Sequence, residues 1–406
     1  MLTRSNKLYE FSFLVVLFCF AVSLFNLTGY IFSAMVLVMF FFYSRRLYFT
    51  SLDLWLLLFS VCYFLIYGIQ FGVDVETFIL YFLGPWTAHM MGHQYMEQSA
   101  NKKSFLVLLV VISSGMFIHG ILNVFAYLRS DYFSLYNYYR QSVDFWRGDL
   151  VNVKSTEMLF TFATGLGIGV MFTSYPKKYK VLSLIALMVV LVATVLMANR
   201  AMLIIFSSLL LWRLFCWYRD SKVPVNKKYV FSISSLIIIL IVILMVLFNV
   251  KGITDYFKEL KIFQRFTSEN ELTRLDVWNV FFKDFRFLEF PFGGKELTLD
   301  AAWNYLHNMW LDVYNVTGFV PFTVLIILTF KVIISFSRFN KIMKVAKKEN
   351  ERVLFQSLAI AIFMNMLVEP IIEANPYFLL MVFMLFGAME TYMHKICSEM
   401  SVSSIN

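Results

Sequence analysis

Long, uninterrupted apolar segments constrain the fold of this chain more than any other feature. Hydrophobic side chains make up 60% of the 406 residues and charged ones only 15%, whereas a soluble domain carries about a quarter charged residues. A helix of about 20 apolar residues crosses the hydrocarbon core of a bilayer, and segments of this kind recur along the chain. Strands of a membrane barrel would alternate polar and apolar residues instead. We therefore predict an all-α, polytopic membrane bundle that forms one domain over residues 1–406.

The apolar segments predict about twelve transmembrane helices. No small-residue cleavage site follows the first segment, so we expect it to be a permanent span rather than a signal sequence. No Pro-rich or Ser-rich linker divides the chain. The predicted spans are residues 9–27, 29–43, 53–70, 75–92, 105–128, 155–174, 181–198, 200–217, 229–249, 306–330, 353–369 and 376–393.

The distribution of Lys and Arg predicts the orientation of the bundle. Most of the 35 basic residues fall in alternate connections, beginning with the N-terminal segment and including the run from Lys331 to Arg352. Basic residues in short connections mark the cytoplasmic side of a membrane protein. We therefore expect both termini in the cytoplasm. The net charge of +9 then reflects orientation and contact with membrane lipid, and we expect no nucleic-acid partner.

Two connections on the predicted outer side are much longer than the roughly two to eight residues that usually join helices in a bundle. Residues 129–154 are crowded with Tyr and Trp and contain Arg147; stacking on sugars and an interfacial aromatic belt explain this composition equally well. Residues 250–305 keep aromatic and apolar side chains at helical spacing around Trp278, which predicts a helical cap packed on the bundle. We expect the chemistry on this non-cytoplasmic side.

Three arginines are candidates for binding phosphate. Arg200 stands at the outer end of a predicted span, and Arg265 and Arg274 lie in the segment 250–305. A guanidinium group stays charged and pairs bidentately with phosphate oxygens, which suits a lipid-linked diphosphate. For each arginine, the alternative is an interfacial side chain or a local salt bridge.

His307 and Asn308 stand at the outer start of the predicted tenth span. A neutral imidazole could take a proton from a sugar hydroxyl, and a protonated one could hold a phosphate oxygen; a packed, hydrogen-bonded histidine is the alternative. Glu369 lies where the eleventh span leaves the membrane, with Glu373 just beyond it. These carboxylates could orient His307 or accept a proton, or they could simply mark a short acidic turn.

Two further patterns are interpreted as structural. His89 and His93 are four residues apart in the fourth span, a spacing that could bind a metal, but they lack the HExxH arrangement and lie near the predicted cytoplasmic interface. The repeat Gly165-Leu-Gly167-Ile-Gly169 lies in an apolar helix with no preceding strand, which indicates a close helix contact rather than a phosphate-binding loop. The four cysteines show no metal-ligand spacing, and we expect no metal and no cofactor.

A series of short motifs resembles the O-antigen polymerase and ligase superfamily. Members carry an Arg-x-x-x-Trp, a Pro-x-x-Gly turn and a His-Asn pair across the large outer loop and the start of the next helix, and a Ser-Arg step earlier in the chain. The corresponding residues here are Arg274 and Trp278, then Pro291 to Gly294, then His307 and Asn308, with the similar step Asn199-Arg200. Gly293-Gly294 departs from the Gly-x-Gly expected in the turn.

The resemblance implies a metal-independent glycosyltransferase of the bacterial plasma membrane that polymerises polyprenyl-pyrophosphate-linked oligosaccharide into O-antigen, capsule or exopolysaccharide. Arg200 and Arg274 would neutralise the leaving diphosphate, together with Arg265, which matches no family motif. Trp278 would fix the cap, and His307 would bind phosphate or activate the acceptor hydroxyl. Asn308, Glu369 and Arg147 complete the expected substrate site, and a chain-length regulator is a possible protein partner.

Two other functions stay open at this stage. A ligase that transfers finished polymer to another acceptor shares the same motifs and differs only in that acceptor. A flippase for lipid-linked oligosaccharide also has about twelve spans, but transporters carry charged residues at mid-membrane, related halves and short loops. The charges in this chain collect instead near one predicted surface, which disfavours transport.

Overall fold

A computed structural model describes residues 4–43, 49–99, 103–131, 141–197, 199–219, 278–279, 281–282 and 306–403. These residues are mainly helical, in agreement with the predicted class. In chain order the helices are α1 (Arg4–Ala21), α2 (Thr28–Tyr43), α3 (Ser51–Phe71), α4 (Gly84–Gln98), α5 (Ser104–Arg129), α6 (Val153–Met171), α7 (Lys177–Leu196), α8 (Arg200–Arg219), α9 (Met309–Thr317), α10 (Phe319–Val345), α11 (Glu349–Val368) and α12 (Pro376–Ser403).

Seven of the described helices are long and apolar enough to cross a membrane: α3, α5, α7, α8, α10, α11 and α12. Two shorter apolar helices, Glu10–Ala21 and Thr28–Met39, lie within α1 and α2. Helical turns at Val75–Thr77 and Phe78–Leu83 lead into α4. The predicted span 229–249, and all of 250–305 except residues 278–279 and 281–282, lie outside the described residues.

Three predicted spans differ from the structure in local detail: one ends early, one is interrupted and one contains an irregular helical stretch. The first span ends at Ala21 rather than residue 27, because Ser23, Phe25 and Asn26 adopt positive φ and cannot continue a helix. The tenth span, 306–330, is divided into α9 and α10 by Gly318, whose φ of 81° only glycine adopts readily. Near the fourth span, Phe78–Leu83 is π-helical just before Pro85, which lacks the N–H that an α-helix would use there.

The connection 129–154 contains a β-hairpin that the sequence did not predict. Strands β1 (Gln141–Val143) and β2 (Leu150–Asn152) pair antiparallel, with Ser142 opposite Val151. Because α6 begins directly after β2, Lys154 belongs to a helix and not to a loop. The hairpin therefore fixes the position at which α6 begins.

Helix α12 packs against α4 so closely that the backbones touch. A Cβ atom added at Gly92 of α4 would lie 1.9 Å from the carbonyl oxygen of Met384, and one at Gly387 of α12 would lie 2.0 Å from that of His89. Only glycine fits at both positions. This contact holds the last helix in the middle of the bundle, where 83% of the residues in its most apolar stretch of 18 residues are buried.

Helix α6 makes a second close contact, with α11 and α7. A Cβ atom at Gly165 would lie 2.7 Å from the Cα atom of Leu358, and one at Gly167 would meet the side chain of Leu187 at 3.1 Å. The interpretation of the glycine repeat as a helix contact is confirmed. It sets the distance between the start of α6 and the end of α11, which both contribute to the site described next.

Candidate functional site

Lys154, His307 and Glu369 form a compact polar cluster at one end of the bundle. The Lys154 Nζ atom lies 2.6 Å from His307 Nδ1 and 2.9 Å from His307 Nε2. Glu369 Oε2 lies 3.8 Å from Lys154 Nζ and 3.9 Å from His307 Nδ1. The three side chains come from the start of α6, the segment before α9 and the C-terminal cap of α11. We call this set the His307 cluster.

The backbone at His307 is held in an unusual conformation. Its φ is 55°, a region that costs free energy for a residue with a side chain. The Asp312 carboxylate accepts hydrogen bonds from the backbone N–H groups on both sides, those of Leu306 at 2.7 Å and Asn308 at 3.0 Å. By accepting these two hydrogen bonds, Asp312 fixes the backbone on both sides of His307 and so fixes the position of the imidazole.

Asn308 connects the same segment to two helices. Its side-chain oxygen accepts the N–H of Leu311 at 3.1 Å and so caps the start of α9. Its side-chain amide donates to the carbonyl of Leu367, near the end of α11, at 3.2 Å. The Asn of the His-Asn pair is thus a positioning residue, 8% exposed, and it ties His307 to the helix that ends at Glu369.

Trp278 reaches the cluster from the long segment 250–305. Its indole N–H donates to the carbonyl of Leu306 at 2.7 Å, immediately before His307. Phe281, 3% exposed, packs with Leu306 and Tyr314. The Trp of the Arg-x-x-x-Trp motif is therefore bonded to the residue just before the His-Asn pair, although 28 residues separate Trp278 from Leu306.

The start of α6 is also bonded to the connection between α11 and α12. The Ser155 hydroxyl donates to the carbonyl of Ala374 at 2.9 Å, and the Asn375 side-chain amide donates to the carbonyl of Ser155 at 3.3 Å. These bonds hold the first turn of α6, which carries Lys154, against the connection that follows Glu369.

The charges in the His307 cluster are largely removed from water. The exposed fraction of the side chain is 11% for Lys154, 8% for His307 and 3% for Glu369. Coulombic interactions are stronger here than at a solvated surface, because the effective dielectric constant is lower. An ammonium, an imidazole and a carboxylate in this setting can stabilise an anion and move a proton.

The other predicted site residues are placed as follows. Arg200 is half-buried at the start of α8, where Asn199 accepts the N–H of Ala201 at 2.7 Å and caps the helix. Met202 of the same turn packs in one apolar cluster with Val153, the neighbour of Lys154. Arg147 is exposed in the hairpin and is not part of the His307 cluster. Arg265, Arg274, the turn 291–294 and the side chain of Glu373 lie outside the described residues.

Sequence reasoning missed Lys154 and the bracing role of Asp312. Lys154 was assigned to a long outer loop, where a basic residue indicates neither membrane orientation nor a functional site. Two features of the sequence could have identified Lys154. It lies on the first turn of an apolar helix, and it is on the predicted outer side of the membrane, where short connections contain few basic residues. Asp312 follows His307 by five residues, a spacing that lets an N-terminal carboxylate bind the preceding backbone.

We expect the hairpin before α6 to be stabilised by ionised Asp144. Burial raises the pKa of this carboxyl, but the His119 imidazole 3.9 Å away and hydrogen bonds from the N–H groups of Arg147 and Trp146 outweigh it, and the net pKa is lowered. A lowered folded-state pKa gives stability that is present above the unfolded value, about 3.9, and is lost as pH falls through the folded value. Thermal unfolding measured from pH 6 downward should show wild type more stable than Asp144→Asn at pH 6, with the difference narrowing as the pH falls below about 3.9. An unchanged difference would contradict this role.

No model of a known protein family matches the chain, and no curated protein matches it.

Proposed function

We propose that this chain is a glycosyltransferase of a bacterial plasma membrane that polymerises lipid-linked oligosaccharide repeat units. It crosses the membrane about twelve times, both termini are cytoplasmic, and the His307 cluster faces the outer side. The substrates are polyprenyl-pyrophosphate-linked oligosaccharides, and the product is a surface polysaccharide such as O-antigen, capsule or exopolysaccharide.

The observation that carries this proposal is the nearly buried set of Lys154, His307 and Glu369 at one end of an apolar bundle. Transfer from a polyprenyl diphosphate requires fixed positive charge where the leaving group develops negative charge. An ammonium that is already held in place by a carboxylate and an imidazole supplies that charge without reorganising during the reaction.

The transfer joins two lipid-linked chains. A hydroxyl oxygen of the incoming repeat unit attacks the anomeric carbon of the growing chain, and the bond from that carbon to the diphosphate oxygen breaks with its electron pair. Polyprenyl diphosphate leaves, stabilised by Lys154 and Arg200. The hydroxyl proton passes to the pair formed by His307 and Glu369, whose nearest nitrogen and oxygen are 3.9 Å apart.

The segment 250–305 contributes the remaining cations. Trp278 is bonded beside His307, and Arg274 precedes it by four residues. Four residues span at most about 14 Å, so the chain length allows Arg274 to approach the site, and we propose that it holds the diphosphate together with Arg265.

A deletion strain of the organism that encodes the chain provides the test. Wild type, Arg274→Ala and His307→Ala are expressed at matched levels, and surface glycan is resolved by chain length on a gel. Lys341→Ala, an exposed lysine near the end of α10, is the matched control. We expect a full ladder with wild type and the control, and single repeat units with both site variants.

Other outcomes point to the other functions. A full ladder that accumulates on the lipid carrier in the deletion strain would identify a ligase, because polymerisation would then not need this chain. Loss of all outward-facing lipid-linked repeat units would identify a flippase and overturn the proposal. A normal ladder in His307→Ala would remove the assigned site.

A further inference from the structure

A second polar cluster lies far from the His307 cluster, at the other end of the bundle. His89 and His93 come from α4, Glu390 from α12 and Asp53 from α3. Along α12, Glu390 is 14 residues beyond Pro376, which corresponds to about 21 Å of helix. The two clusters are therefore separate sites.

Ligand atoms of Asp53, His89 and His93 lie within 4.8 Å of one another, and Glu390 faces both histidines. Glu390 Oε2 lies 3.8 Å from His89 Nε2 and 3.5 Å from His93 Nε2. Two atoms that each bind a tetrahedral zinc ion at about 2.0–2.1 Å are about 3.3–3.4 Å apart. The two separations from Glu390 Oε2 exceed that value by about 0.1–0.5 Å, so the side chains must move closer together to hold an ion.

Each ligand residue is fixed by a hydrogen bond to the nitrogen or oxygen atom that does not face the proposed ion. His89 Nδ1 lies 2.6 Å from Asp53 Oδ1, and His93 Nδ1 is hydrogen-bonded to the Thr391 hydroxyl. Glu390 Oε1 accepts a hydrogen bond from the Ser335 hydroxyl at 2.8 Å. Metal-binding histidines usually bond their other ring nitrogen to a carboxylate or another acceptor, which fixes the ring and the tautomer.

Asp53 is a supporting residue and not itself a ligand. Its distance of 2.6 Å from His89 Nδ1 is that of a hydrogen bond and is too short for two ligands of one ion. The backbone N–H and the hydroxyl of Thr50 donate to its other oxygen at 2.7 and 2.8 Å. These bonds keep His89 Nε2 directed at Glu390.

The two Nε2 atoms are weakly satisfied. Both are buried, and the acceptor that faces each of them is Glu390 Oε2, at 3.8 and 3.5 Å, which is long for a hydrogen bond. Leaving a buried polar atom without such a bond costs free energy, so the arrangement needs an explanation. A bound cation supplies one, because it takes a lone pair from each nitrogen.

A cavity gives the cluster access and room for solvent. It has a volume of about 290 Å³ and is lined by His93, Thr391, Gln94, Glu97 and His394, among others. Of the three proposed ligand residues, His93 lines this cavity, so water can approach the cluster on the side of His93. The lining also includes exposed polar side chains through which a hydrated cation can enter.

From this geometry we infer that His89 Nε2, His93 Nε2 and Glu390 Oε2 bind a divalent transition-metal ion, Zn²⁺ being the best fit to two imidazoles and one carboxylate. The ion joins α4 to α12, and through Asp53 it engages α3. It lies at the end of the bundle remote from the proposed transfer reaction, so its role is to hold these helices together. The inference does not depend on the proposed function.

The test uses the full chain, purified in detergent without a polyhistidine tag, stripped with a chelator and titrated with Zn²⁺ or Co²⁺. Metal content is measured by mass spectrometry, and Co²⁺ reports tetrahedral geometry through its visible absorption. The variants are His93→Gln and Glu390→Gln. His394→Gln is the matched control, because His394 lines the cavity but is not a ligand.

We expect wild type and His394→Gln to bind one equivalent, to show tetrahedral Co²⁺ bands and to melt several degrees higher with Zn²⁺. His93→Gln and Glu390→Gln should lose the equivalent and the shift. Folded wild type that binds no ion, or that gives only octahedral Co²⁺ spectra, would overturn the inference even if neither variant folds. Full retention of the ion by His93→Gln would overturn it as well.

Discussion

Lys154→Met is expected to lower the yield of polymerised surface glycan by about 100-fold or more, the loss that follows when one preorganised donor to a developing anion is removed. Lys154→Arg should retain part of the activity, because it keeps the charge but changes the reach of the side chain. The readout is the chain-length ladder at matched expression, with Lys341→Met as the exposed control.

A loss of folding could imitate this result, so a double variant separates the two effects. Lys154 Nζ lies 3.8 Å from the nearly buried Glu369 carboxylate, and removing the ammonium deprives that carboxylate of a cationic neighbour. Lys154→Met should therefore lower the melting temperature of purified protein. Adding Glu369→Gln removes the buried charge and should restore the melting temperature without restoring polymer. A double variant with a wild-type ladder would show that the pair is only structural.

The helical class and most helix positions could be predicted because an apolar segment in lipid has few alternatives to a helix. The predicted 105–128 corresponds to Ser104–Arg129, and the predicted 53–70 to Ser51–Phe71. The break at Gly318 escaped prediction because hydrophobicity continues across it and only the backbone changes. The β-hairpin escaped because its strands are three residues long and lack a strong alternating pattern.

The candidate site could be predicted only in part. His307, Asn308 and Trp278 were identified from residue type and motif spacing, and the structure brings these three together. For Glu369 the sequence allowed two interpretations, a functional role beside His307 and a simple acidic turn. Its position beside His307 supports the first interpretation. Lys154 could not be identified, because its contact with His307 joins residues 153 apart in the chain and depends on how α6 packs against α11.

The histidines of α4 also show how little of a site that joins distant parts of the chain can be predicted from sequence. The spacing of His89 and His93 is visible in the sequence, but two histidines alone are a weak indication of a metal. The third ligand, Glu390, lies 297 residues after His93, and no local pattern connects them. What brings them together is the close approach of α4 and α12 at Gly92 and Gly387, two glycines that sequence reasoning also did not single out.

Gly92→Ala and Gly387→Ala should each destabilise the bundle strongly. The new methyl group would overlap the backbone of the facing helix, at 1.9 Å from the Met384 carbonyl oxygen or 2.0 Å from that of His89. Overpacking usually costs about 1–3 kcal/mol, and we expect at least the upper value because backbone on both sides cannot rotate away as a side chain can. Purified variants should melt at lower temperature and elute largely as aggregate in size-exclusion chromatography.

Gly29→Ala in α2 is the matched control for both substitutions. Its new Cβ would lie 3.4 Å from the Tyr377 hydroxyl, an ordinary contact, and Gly29 lies in the first turn of α2, where alanine is tolerated. This variant should therefore be as stable as wild type. Because separating α4 from α12 also moves Glu390 away from His89 and His93, any folded Gly387→Ala protein should bind Zn²⁺ more weakly. Wild-type melting of Gly92→Ala and Gly387→Ala would mean that the two helices do not approach as closely as described.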